Sequence, residues 1–95
     1  MTLLNTIKKE LNALDIRPKK SLGQNFLINE GVYKKIVAAL EIKKNDMIIE
    51  VGPGLGTLTG FLAESGARVI AIEKDRLLIA HLKNKFKDNK NVTII

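Results

Sequence analysis

Three glycines at alternate positions, Gly52, Gly54 and Gly56, separate a short apolar run, Met47-Ile-Ile-Glu-Val51, from a stretch in which apolar residues recur every three to four positions from about Thr57. Strand, glycine turn and helix in that order make a layout for a nucleotide-type ligand. Glycine lets the backbone approach a ligand where a Cβ would collide, and the first N–H groups of the helix are free to donate. Glu50 precedes the glycines, and Glu73 follows 21 residues after Gly52 at the end of a second apolar run, Arg68-Val-Ile-Ala-Ile-Glu73. In a doubly wound sheet that carboxylate stands beside the glycine turn, placed to accept from both hydroxyls of a ribose. Each such charge-assisted bond contributes roughly 1.5–3 kcal/mol. The plain alternative is a solvated acid at a strand end. Its position closing an otherwise apolar strand favours the ribose.

The glycine spacing narrows the ligand. A dinucleotide fingerprint is G-x-G-x-x-G. Counted from Gly52, its third glycine would fall where Thr57 stands, and Gly56 comes one position early. The tight helix packing and pyrophosphate geometry of that fingerprint are therefore not expected. A ligand with adenosine and no pyrophosphate fits better, and S-adenosylmethionine is the obvious one. A dinucleotide oxidoreductase is the weaker alternative.

The elements that must position these residues read in order. Residues 2–15 suit an amphipathic helix with Leu3, Leu4, Ile7, Leu11 and Leu14 on one face and Lys8, Lys9, Glu10 and Asn12 elsewhere. Pro18 stops helical continuation. Residues 17–28, Arg-Pro-Lys-Lys-Ser-Leu-Gly-Gln-Asn-Phe-Leu-Ile, have no regular period and mix lysines, amides and large apolar groups. They read as a basic surface loop or, more sharply, as a lid facing a ligand. Asn29 or Glu30 opens a helix with Val32, Ile36, Val37 and Leu40 inward. The strand at 47–51 follows, then a helix with Leu58, Phe61, Leu62 and Ala63 inward that closes at Ser65-Gly66, Gly66 being the C′ residue. Asp75 can cap a helix over 76–86 with Leu77, Leu78, Leu82 and Phe86 apolar, and Val92 begins a third strand. The order α-α-β-α-β-α-β implies a parallel sheet. A freestanding domain does not normally stop inside an apolar run that wants sheet neighbours, so the chain is expected to be the front of a longer protein.

Composition sets the outer limits. Ninety-five residues support one small domain, and 45% hydrophobic content is ordinary. The absence of cysteine excludes disulfides and thiolate metal sites. No apolar run approaches the ~20 residues that span a bilayer, and Lys8, Lys9 and Glu10 interrupt any signal-peptide core. A soluble cytoplasmic protein is expected, with no metal and no membrane partner, and a monomer. The net charge is +6, with lysines clustered at Lys8-Lys9, Lys19-Lys20, Lys34-Lys35, Lys43-Lys44 and along Lys83, Lys85, Lys87 and Lys90. That clustering is the footprint of a polyanion, with nucleic acid the leading candidate. A solvated basic surface is the plain reading. The lone histidine, His81, reads as a partly exposed helix residue without a catalytic role.

Ser21-Leu-Gly-Gln-Asn-Phe-Leu27, then Ile49-Glu-Val-Gly-Pro-Gly-Leu-Gly-Thr-Leu-Thr59 and Ala71-Ile-Glu73, resemble the ribosomal RNA adenine N6-dimethyltransferases. The likeness runs from about Lys19 to Ile95. Leu22-Gly23 before Gln24, and Pro53, lean toward the small-subunit (16S) enzymes over the macrolide-resistance methylases of the large subunit. The resemblance implies a Rossmann-like class I S-adenosylmethionine-dependent methyltransferase fold, here its amino-terminal portion, with residues 1–18 a helical extension and 19–95 the incomplete methyltransferase domain. It implies that Asn25 and Leu27, with Gln24 beside them, contact the cofactor. Gly52 approaches the methionine portion, Gly54 keeps the turn open, Glu50 orders the loop and Glu73 holds the ribose. The substrate implied is small-subunit ribosomal RNA, dimethylated at N6 of two adjacent adenines. An Asn-x-Pro-aromatic motif of the kind that grips the target amine occurs nowhere in these 95 residues, so no catalytic residue is named. The 95 residues alone are expected to bind cofactor weakly and to be inactive. A non-enzymatic RNA-binding module is the alternative from another class.

Overall fold

The computed structural model describes residues 2–14 and 29–95. Along these the elements are α1 (Leu3–Ala13), α2 (Glu30–Ala39), β1 (Met47–Val51), α3 (Thr57–Glu64), β2 (Arg68–Ile72), α4 (Arg76–Lys85) and β3 (Val92–Ile94). The expected lid at 17–28, including Gln24, Asn25 and Leu27, lies outside the described residues.

Local chemistry explains where the helices start. The Thr2 side chain accepts from Asn5 N–H, Asn29 from Gly31 N–H, and Asp75 from the N–H groups of Leu77 and Leu78. Each thereby satisfies donors that a helix's first turn leaves unpaired. α3 differs. Its N-cap is Gly56, in a left-handed conformation at φ 81°, with no side-chain acceptor. The one helix aimed out of the glycine turn is also the one whose leading N–H groups no side chain caps.

The three strands pair in parallel in the order β1-β2-β3. Ile48 lies opposite Val69 and Glu50 opposite Ala71, while Val69 and Ala71 lie opposite Val92 and Ile94. These residues share one face, because partners in register point the same way and alternate residues alternate faces. α3 packs on β2 and α4 on β3, and Val69 and Ala71 are buried. The core also holds Leu62, Leu82 and Phe86 from the helices.

Periodicity located the helices, but several faces rotate relative to expectation. Leu4, Leu40 and Leu77 are exposed, because the neighbouring elements cover a narrower stripe than the apolar residues offer. In α2 the buried position is Tyr33, whose ring stacks on Phe61 with centroids 5.3 Å apart. In α3 the buried set is Thr59, Leu62 and Ala63. Gly66 does end α3, at φ 89°, with its N–H donating to Ala63 O.

One side chain ties the turn after α3 to the start of β3. Asn91 Nδ2 donates to Ala63 O at 2.8 Å and to Ala67 O at 3.0 Å. Asn91→Ala strands both carbonyls and is expected to cost about 1–3 kcal/mol in urea denaturation. An unchanged midpoint and slope would remove this account of the junction.

Candidate functional site

The site grows out of the β1–β2 pairing. Val51 sits opposite Ile72, and one step further Gly52 N–H donates to Ile72 O at 2.9 Å, carrying the ladder into the glycine turn. That places the Glu73 carboxylate at the turn. Its Oε1 accepts from Gly54 N–H at 3.3 Å, and its Oε2 from the N–H groups of Lys74 at 2.9 Å and Asp75 at 3.0 Å. A carboxylate has about four lone-pair positions. Three are occupied here, one of them by a long bond, so Glu73 is oriented by its own backbone and keeps accepting capacity.

Gly52 and Gly54 have φ of 69° and 59°, and a Cβ built on either meets nothing within 4 Å. Their backbone borders open space, and the left-handed φ is what a side chain would resist. Gly56 differs. A Cβ there would lie 2.7 Å from both Leu82 and Phe86. The glycine spacing predicts no tight glycine–helix packing, but Gly56 provides it, against α4. Leu55 is 4% exposed and packs with Ile7 and Leu11 of α1. The turn therefore presents backbone to the open side and is clamped from behind.

Beneath it lies a polar cluster. Glu50 points from β1 toward α3, where the Thr59 hydroxyl, fully buried, donates to Glu50 Oε1. Burial pushes the Glu50 carboxyl above its ordinary value of 4.5, and the Thr59 bond partly offsets that. Tyr33 hydrogen-bonds the Thr57 side chain, and its hydroxyl is raised above 10.0, first by burial, with the nearby Glu50 charge adding to the rise. The family resemblance implies a loop-ordering role for Glu50, but nothing in the sequence marks Thr59 or Tyr33 as its neighbours.

A second cluster was not legible in the sequence. Glu10 of α1 turns inward, with its side chain 12% exposed. Its Oε2 lies 2.6 Å from His81 Nε2, and Lys85 Nζ donates to both carboxylate oxygens, at 2.9 and 2.8 Å. Lys85 Nζ also donates to Leu55 O at 2.8 Å. Lys85 is thus withdrawn from the surface cluster to which its spacing assigned it, whereas Lys83, Lys87 and Lys90 remain exposed. His81 is partly exposed, as expected, but it has a carboxylate partner. Among the described residues no group of His, Asp and Glu is arranged to hold a metal ion, and no helix is long and apolar enough to cross a membrane.

Residues 16–95 match the ribosomal RNA adenine dimethylase family. The chain belongs to that family. It is 48% identical over 85 residues to ribosomal RNA small subunit methyltransferase A of Opitutus terrae, covering 88% of this chain and 31% of that protein. The chain thus spans about a third of the length of the curated relatives it matches. Among solved structures it resembles the 23S rRNA methyltransferase ErmE, with TM-score 0.69 and 32% identity over 75% of this chain and 29% of that one. It also resembles a dimethyladenosine transferase from Plasmodium falciparum, with TM-score 0.65 and 33% identity over 74% and 27%. The α/β fold with a parallel sheet is the Rossmann-like fold of these methyltransferases. Family membership agrees with the reading taken from the glycine turn and Glu73.

The buried carboxyl of Glu50 has a pH signature. Its proton is held more tightly folded than unfolded, so the folded state binds more protons and stability falls as pH rises through 4.5 and on through the raised folded value. Glu50→Gln keeps an acceptor for Thr59 without the charge. It is expected to raise Tm at pH 7 and to lose that advantage at pH values below 4.5, where the wild-type group is protonated in both states. A Tm difference that does not vary with pH would show that burial of the charge is not what Glu50 costs the fold.

Proposed function

We propose that this chain is the cofactor-binding, amino-terminal part of an S-adenosylmethionine-dependent methyltransferase that dimethylates N6 of two adjacent adenines in small-subunit ribosomal RNA. We divide it into a helical extension over residues 1–18 and the methyltransferase portion over 19–95. The protein would act in the cytoplasm. The observation that carries the proposal is the juxtaposition of Glu73 with the open-sided glycine turn, Gly54 N–H to Glu73 Oε1.

The residues present fit the cofactor. Gly52 and Gly54 leave room for backbone approach, and Glu73, already oriented by Lys74 and Asp75, has acceptor capacity for ribose hydroxyls. When bound, S-adenosylmethionine supplies an electrophilic methyl group on a sulfonium. The chain's own part is to hold and orient. Glu73 fixes the ribose, the backbone of Gly52 borders the methionine portion, and Gly54 keeps the turn open. Glu50, held by Thr59, keeps the end of β1 and the start of α3 in register. Asn25 and Leu27 are proposed to contact the cofactor from the segment between α1 and α2. Methyl transfer to a base amine requires that base out of its stack and the amine in line with the methyl. The exposed lysines of α2 and of the turns after α2 and α4 offer a surface to RNA phosphates.

Support for the small-subunit substrate comes from the relatives' names, which specify the small ribosomal subunit. ErmE, named for the 23S RNA, is a structural neighbour, and its likeness bears on fold and family more than on which RNA is modified. Residues 1–95 assayed alone are proposed to be inactive on RNA, because the Asn-x-Pro-aromatic motif is not among them.

The test is Glu73→Ala in the intact protein, with calorimetric titration of S-adenosylmethionine and methyl transfer to small-subunit RNA. Losing two charge-assisted bonds of about 1.5–3 kcal/mol each is expected to weaken cofactor binding at least about a hundredfold and to abolish transfer. Retained cofactor affinity would overturn the assignment of Glu73. If the intact protein binds RNA in a salt-dependent way but neither binds the cofactor nor transfers a methyl group, it is a binding module and the enzyme reading fails.

A further inference from the structure

The family match begins at residue 16 and leaves α1 outside it, yet α1 packs against the glycine turn. Ile7 and Leu11 are 3% and 7% exposed and close over Leu55, which lies between Gly54 and Gly56 in the turn, with Leu3, Leu14 and Leu78 around them. Beside this apolar contact runs a polar one. Lys85, in the last turn of α4, donates to Leu55 O at 2.8 Å and to both oxygens of Glu10 at 2.9 and 2.8 Å. One ammonium has three donors, and all three go to these oxygens. The side chains of Glu10, Lys85 and His81 are 12%, 26% and 17% exposed.

We propose that Lys85 is a positioning residue for the glycine turn, and that Glu10 of α1 makes it one. The Leu55 carbonyl shares its peptide plane with the Gly56 N–H, so anchoring it fixes the direction of that N–H and restrains the turn back toward Gly54. The Gly54 and Gly56 N–H groups now donate to Glu73 Oε1 and to Pro53 O. A lysine with only a carbonyl for a partner would turn its charge toward water. The Glu10 carboxylate, whose Oε2 also lies against His81 Nε2, keeps the ammonium over the turn. Gly56 leaves no alternative arrangement behind the turn, since Leu82 and Phe86 of α4 already fill the space a Cβ would need. The amino-terminal helix is thus part of the apparatus that shapes the site, reaching it from 45 residues away in sequence. That the turn so shaped receives S-adenosylmethionine rests on the function proposed above.

The experiment separates the two ideas. In the intact, ligand-free protein, amide hydrogen exchange at Gly54 and Gly56 is compared among wild type, Glu10→Gln, Lys85→Met and Lys85→Arg. Val69, whose N–H donates to Asn91 O in the sheet, serves as reference. S-adenosylmethionine affinity is titrated on the same samples. Lys85→Met is expected to speed exchange at the two glycines at least about tenfold with Val69 unchanged, Glu10→Gln to do so in part, and Lys85→Arg to restore most of the protection. Cofactor affinity should fall in the same order. Unchanged glycine exchange in Lys85→Met, or a parallel rise at Val69, would overturn the proposal. The second result would mean general destabilisation and no specific hold on the turn. Should Lys85→Met fail to fold, Glu10→Gln carries the same comparison alone. If the exchange pattern appears but wild type binds no S-adenosylmethionine, the coupling stands and the cofactor assignment falls.

Discussion

The site depends on the register of β1 against β2. Because Val51 pairs with Ile72, the next bond along, Gly52 N–H to Ile72 O, brings the first glycine and the acid after β2 to the same sheet edge. A slip of one residue would reverse the face of every side chain on one strand. Glu50 would leave Thr59, and Glu73 would leave Gly54. What prevents the slip is burial: Val69 and Ala71, at 1% and 0% exposure, both lie on the helix-covered face, where small and β-branched side chains leave no space for an alternative. Two apolar residues of β2 therefore determine where two carboxylates of the site stand.

Much of this arrangement is local, and local features are what a sequence displays. The strands show as apolar runs, Asp75 as a cap and Gly66 as the residue after α3, because each depends on chemistry within a few positions. Glu73 was legible for a related reason, since a βαβ unit fixes the offset between a first turn and a second strand end. The Glu10–Lys85 and Glu10–His81 pairs span 75 and 71 residues, and nothing in the spacing of either helix announces them. On its own helix Glu10 reads as part of the wet side. It becomes interior only when α4 is laid beside it. Leu4, Leu40 and Leu77 failed in the opposite sense, since an apolar residue on a helix becomes core only where another element reaches it.

Charge is used in two ways. Exposed lysines contribute a diffuse field that salt screens, while Lys85 is spent on one carbonyl and one carboxylate, where removal from water strengthens both bonds. Composition counts these lysines equally, and only burial separates them. The same distinction separates the acids. Glu73 is oriented by three backbone N–H donors, whereas Glu50 is pushed toward its neutral form by burial against α3. Acids on either side of one glycine turn thus have environments suited to different tasks: one to accept hydrogen bonds at the edge, the other to sit beneath the turn.

The sheet's second face bears on how much of a pocket these residues make. Met47, Ile49 and Val51 of β1 and Ile72 of β2 alternate with the covered residues and are exposed, Val51 at 79%. Parallel strands are ordinarily buried on both faces, which is why they read as unbroken apolar runs and not as an alternation of apolar and polar residues. Here the helices α3 and α4 cover only the face of Val69 and Ala71. Val51 leads directly into Gly52, so the uncovered face and the open side of the turn meet at the same edge. Among the described residues, the turn and Glu73 form a floor and one wall for a ligand. The apolar residues beside them remain a surface that water solvates poorly. A ligand seated at that edge would touch backbone and carboxylate on one side and the Val51–Ile72 surface on the other, and covering that surface would add apolar burial to the polar contacts that select the ligand.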